Sequence, residues 1–182
     1  MDKFKNKYRI PSARLQNWDY GSPGLYFITI CTKNRECYFG EIKTDEMLQN
    51  NLGLIANEEW IKTPEIRPDM KLELGEFIVM PNHFHAIMII GENQYNSLDD
   101  RRDAMHGVST RENKFGPQSK NLGSIMRGYK SSVTTYARKK NIEFDWQERY
   151  HDHIIRNHDE YIRVSNYILS NPANWKQDRF FK

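Results

Sequence analysis

The sequence predicts an α+β fold, ferredoxin-like, with one mainly antiparallel sheet and helices packed on it. Two observations carry this. Strand, helix, strand hairpin, helix, strand-like segment and helix follow one another along the 182 residues, with no internal repeat. The apolar runs "KLELGEFIVM" and "HFHAIMII" flank a turn at Pro81-Asn82, so they pair as a hairpin and place the second run centrally. The length suits a single domain over 1–182.

The elements are justified in turn. "GLYFITICTKN" from Gly24 is rich in β-branched and aromatic residues and is entered through the Gly21-Ser22-Pro23-Gly24 turn. "ECYFGEI" returns as a short second piece. From Thr44 to Lys62 the chain reads as a helix capped by Thr44 or Asp45, with Met47, Leu48, Leu52, Ile55, Ala56 and Trp60 as its apolar stripe. Pro64 ends it. A second helix over 121–140 carries Leu122, Ile125, Met126, Tyr129, Val133 and Tyr136 on one side. "YHDHIIRN" is extended, and Asp159 caps a last helix that stops before Pro172. The polar stretch at about 93–119 reads as a flexible insertion.

Composition excludes some classes. No apolar run approaches the roughly 18 residues that span a bilayer. The N-terminal stretch has no signal-peptide core, and Cys31 and Cys37 lack both framework and CxxC spacing, so a cytoplasmic protein with reduced thiols is expected. A formal net charge of +3 says little. The basic clusters say more: Lys3 to Arg14, Arg127 with Lys130, Arg138 to Lys140, and Lys176 to Lys182, several beside aromatics. That pattern suits phosphate neutralisation and base stacking, and also an ordinary solvated surface.

Two histidines interrupt the strand "HFHAIMII". Strand side chains alternate, so His83 and His85 share one face while Phe84, Ala86 and Met88 take the other. Their Cα atoms are about 7 Å apart by the rise per residue. Such a pair can share a metal, or it can be a satisfied buried pair with polar partners. In the last helix Tyr161, Ile162, Val164, Ile168 and Leu169 form the apolar side. Tyr167 lies off that stripe, with Asn171 one turn beyond it.

Taken in order, "YFITICTKNRECYFGEI", "VMPNHFHAIM", "GSIMRGYKSSVT", "WQERYHDHIIRN" and "YILSNP" resemble the single-tyrosine HUH transposases of insertion sequences, most closely the REP-associated tyrosine transposase branch. The resemblance covers nearly the whole chain except about 93–119. It implies an HUH endonuclease architecture and an enzyme that nicks and rejoins single-stranded or hairpin DNA through a 5′-phosphotyrosine. It makes Tyr167 the nucleophile, and His83, His85 and Asn171 the ligands of a divalent metal, Mg²⁺ or Mn²⁺. It implies a monomer or a homodimer.

Matching blocks imply DNA contacts at Gln147 and Arg149 and either a structural role or a DNA contact near the site for His153, with Trp146 either a contact or a buried ring. Arg127 and Lys130 suit phosphate contacts or a solvated face. Tyr129 and Tyr136 read as core. An alternative is a nucleic-acid-binding protein that keeps the fold without catalysis. A zinc hydrolase built on His83, His85 and either His151 or His153 needs a carboxylate base that the sequence does not identify.

Overall fold

The computed structural model describes residues 3–4, 7–8, 15, 18–97 and 119–181. Two dipeptide strands, β1 (Lys3–Phe4) and β2 (Lys7–Tyr8), pair with each other. The main sheet holds β3 (Gly24–Cys31), β6 (Leu72–Met80), β7 (His83–Ile90) and β8 (His151–Ile155) in the order β6-β7-β3-β8, antiparallel throughout. The histidine strand β7 is therefore central. A small hairpin, β4 (Gly40–Lys43) with β5 (Glu46–Gln49), stands beside it. Helices α1 (Asn51–Ile61), α2 (Thr63–Ile66), α3 (Leu122–Lys139) and α4 (His158–Ser170) complete the fold.

Alternation along the strands divides the core in two. Tyr26, Ile28, Ile30, Phe84, Ala86 and Met88 face one way and pack with Leu52, Ala56 and Trp60 of α1 and Ile125, Tyr129 and Val133 of α3. The other face carries Ile87, which packs with Ile155 and with Val164 and Ile168 of α4. His83 and His85 belong to this second face, opposite Cys31 and Thr29 in the β3–β7 register. Beyond α4 the chain turns back, and Trp175 and Phe180 pack against Cys31 and Met80.

The expected helix over 44–62 is corrected: it begins only at Asn51. Thr44 and Asp45 both adopt positive φ, 51° and 62°, and form the two-residue turn of the β4–β5 hairpin, in which Ile42 faces Met47. Asn50 caps α1 instead, accepting from the amides of Leu52 and Gly53 at 3.0 Å each. Gly53 has a steric reason: a Cβ there would run into the Phe39 carbonyl. The last helix is likewise capped by Asn157, whose side chain accepts from Glu160 N at 2.8 Å, and Asp159 lies in its first turn.

Of the expected insertion, residues 93–97 make a hydrogen-bonded turn. Buried Asn93 donates to the carbonyls of Met70 and Gly91, and buried Asn96 to those of Gly21 and Gly91. Residues 98–118 lie outside the described residues. Among the described residues no helix is long and apolar enough to cross a membrane.

Candidate metal centre and nucleophile

The turn between β6 and β7 aims the first histidine. Asn82 is fully buried, and its amide NH₂ donates to two carbonyls, Arg35 at 3.0 Å and Phe180 at 2.8 Å. Both hydrogens are thus used, so its Oδ1 is the atom that meets His83 Nδ1 at 2.9 Å. A carboxamide oxygen only accepts, so the ring proton sits on Nδ1 and the lone pair of His83 on Nε2. That Nε2 is buried and, among the described residues, has no hydrogen-bond partner.

His85 is held similarly. Its Nδ1 is 2.9 Å from Thr29 Oγ1, the residue opposite it on β3. Its ring stacks on Phe27 with centroids 5.4 Å apart, and its Nε2 lies 3.2 Å from the hydroxyl of Tyr167. The two imidazoles are neighbours, with centroids 4.5 Å apart. Burial pushes the His83 pKa down to about 4 against the partial opposition of Asp178. Burial, and then the neighbouring His83, push His85 well below its ordinary value. Both rings are therefore neutral near pH 7, with lone pairs available.

α4 supplies the other half. Tyr167 is 39% exposed at the rim while Asn171, the C-cap one turn later, is buried. Asn171 Nδ2 donates to Asp178 Oδ2 at 3.1 Å, which turns its Oδ1 the other way. That oxygen, too, is buried without a hydrogen-bond partner among the described residues. Asn171 lies close enough to His83 to favour a protonated ring, yet the two acceptors make no hydrogen bond. Two buried lone pairs left unpaired cost free energy unless a cation takes them. The residues therefore fit a divalent metal. Burial, and then the charge of Asp178, raise the Tyr167 pKa, so its phenol is protonated at rest.

The structure brings His83, His85, Tyr167 and Asn171 together. It adds Asp178, which the sequence reading missed: ligand atoms of His83, His85 and Asp178 all lie within 4.8 Å of one another. Asn82 was read only as a turn residue. His151 and His153 do not join this group; His153 Nε2 instead meets Glu160 Oε1 at 2.7 Å. Arg127 and Lys130 lie on α3, across the sheet from the histidines. Arg127 is exposed, and the Lys130 ammonium donates to the carbonyls of Gln147 at 2.5 Å and Glu148 at 3.3 Å.

Gln147 N donates to Cys31 O at 2.9 Å, joining the "WQER" stretch to the end of β3, and Arg149 is exposed. Trp146 is buried among Phe39, Tyr129 and Phe144. Tyr129 is buried and Tyr136 half-buried.

This is the fold of the REP-associated tyrosine transposase. The chain superimposes on a structure of that transposase bound to a REP hairpin with a TM-score of 0.57 and 18% identity, over 91% of this chain and 76% of that one. The chain belongs to the same family as an uncharacterized protein of Haemophilus influenzae, 39% identical over 175 residues that span 93% of this chain and 92% of that protein. No family model matches.

Proposed function

We propose that the protein is a transposase of the tyrosine HUH type, a metal-dependent endonuclease and strand transferase for single-stranded or hairpin DNA. The observation that carries this is the meeting of Tyr167 with His85 at 3.2 Å, beside acceptors of His83 and Asn171 that have no partner among the described residues. The shared fold with a transposase that binds a REP hairpin supports the same reading.

His83, His85 and Asn171 hold the metal in this reading. When bound, the ion polarises the scissile phosphate and stabilises the charge that develops on it. The chain's own residues do the rest. Tyr167 Oη attacks phosphorus in line, the P–O3′ bond breaks, and its electron pair leaves on O3′, which takes a proton to become a 3′-OH. With His85 Nε2 given to the metal, the phenolic proton leaves to solvent at the exposed rim where Tyr167 sits, and solvent returns one to O3′. The product is a 5′-phosphotyrosine, and attack on it by a 3′-OH rejoins the strand.

Packing fixes Tyr167 for this task. Its ring meets Phe27 edge-on at 6.0 Å, and Asn82 and Thr29 keep both imidazoles oriented. Arg127, Lys130, Gln147, Arg149 and His153 contact the DNA. The test is incubation with single-stranded DNA from the gene's own flanks and Mn²⁺, followed by a denaturing gel. A tyrosine-linked adduct is expected, and binding without any adduct or nick would leave only the non-catalytic alternative.

A further inference from the structure

We infer that Asp178, from the segment after α4, is a fourth and anionic ligand of the metal site. The inference rests on the metal site of the proposed function and adds a residue to it. Asp178 reaches the histidines because the chain reverses after Asn171 through the 3₁₀ turn Trp175–Gln177. That return is anchored. Phe180 lies 4.6 Å from the His83 ring and Trp175 5.8 Å from it, centroid to centroid. Asn82 Nδ2 holds Phe180 O at 2.8 Å, and Arg35 Nη1 holds Arg179 O at 2.9 Å.

The carboxylate is oriented within this frame. Its Oδ1 accepts from Phe180 N at 2.7 Å, which turns Oδ2 towards the site. Oδ2 accepts from Asn171 Nδ2 at 3.1 Å and, among the described residues, has besides only the long 3.5 Å approach of the Tyr167 hydroxyl. A carboxylate oxygen has two lone pairs, so one on Oδ2 is available to a cation.

Charge supplies the second argument. Two neutral imidazoles and a carboxamide leave a buried dication uncompensated, and a buried charge is stable only when paired. Among the described residues Asp178 is the only carboxylate grouped with His83 and His85. An anionic oxygen beside two imidazoles and a carboxamide oxygen suits Mn²⁺ or Mg²⁺ better than a closed zinc site.

The test measures metal affinity alone, by calorimetric titration of the whole chain with Mn²⁺ and no DNA. Asp178→Asn keeps one oxygen, which can still accept from Phe180 N, and removes the charge together with the second acceptor. A ligand role predicts a loss of at least about 100-fold, above the range typical of an outer partner. A smaller loss assigns Asp178 to orienting Asn171 and overturns the inference, while leaving the His83–His85–Asn171 site standing. No Mn²⁺ binding by the unmutated chain overturns both. Should Asp178→Asn fail to fold, the Asp178 carboxyl ¹³C resonance is followed in the unmutated chain during Mg²⁺ titration. A saturable shift supports ligation, and its absence while the histidine resonances move overturns it.

Discussion

The Tyr167 hydroxyl meets His85 Nε2 at 3.2 Å across 82 residues of sequence. Only the packing of α4 on the sheet face that carries His85 brings them together, through Val164 and Ile168 against Ile87 and Ile155. Tyr167→Phe removes one oxygen from a residue at the rim, so stability should change by no more than about 0.5 kcal/mol. The variant should bind Mn²⁺ and DNA and form no covalent adduct on a denaturing gel. Tyr136→Phe on α3, across the sheet, should keep the adduct. Loss in the second and survival in the first would move the nucleophile to α3.

Tyr129→Phe calibrates the structural reading. Its hydroxyl is buried and donates to Ala56 O at 3.0 Å, tying α3 to α1. Removing it leaves that carbonyl short of a partner, and about 1 kcal/mol of stability should go, read from the urea midpoint. Nicking should persist.

For the metal, His83→Ala and His85→Ala should each abolish measurable Mn²⁺ binding and cleavage, while single-strand binding survives on basic and aromatic contacts. Asn82→Ala is the subtler change. It frees the His83 ring and its proton position without touching Nε2, and should weaken Mn²⁺ by roughly 10–100-fold. Undiminished cleavage by the double histidine variant in chelator would remove the metal from the mechanism.

The parts of the site that were legible in sequence are those set by local periodicity. Alternation along β7 put His83 and His85 on one face, and helical phase set Tyr167 off the stripe with Asn171 one turn on. What escaped depends on chain reversals that no period records. Asp178 follows α4 in a short irregular stretch, and only the packing of Trp175 and Phe180 against Cys31 and Met80 brings it back. The role of Asn82 needed the positions of Arg35 O and Phe180 O, both distant in sequence. The β4–β5 hairpin was hidden because Met47 and Leu48 also fit a helical stripe with Leu52, and Thr44-Asp45 is a weak signal for a turn with both φ positive.

Arg127 and Lys130 separate a DNA role from a structural one. Neutralising both, as Arg127→Ala with Lys130→Met, should lower the salt slope of DNA binding by about 2 if each contacts a phosphate. Lys130→Met alone should also cost stability, because its ammonium donates to the carbonyls of Gln147 and Glu148. An unchanged slope in the double variant would leave Arg127 as solvated surface and Lys130 as a tie between α3 and the "WQER" stretch.

The buried histidines set a pH window for stability in chelator. Folding lowers the His83 pKa from the ordinary 6.5 to about 4, and lowers His85 in the same direction. Above pH 6.5 both rings are neutral, folded or unfolded, and pH has no leverage through them. As pH falls from 6.5 towards 4 the unfolded chain takes up protons that the folded chain does not, so stability falls with pH. The urea midpoint should therefore decline across that interval, before the carboxylates Asp69, Asp145 and Glu160, all held below their ordinary values, begin to protonate. Replacing His83 with Gln removes one titrating ring and should flatten the decline. A midpoint as steep in His83→Gln as in the unmutated chain would show that His83 is not titrating in that window, and that its burial among Asn82, Trp175 and Phe180 does not hold in solution.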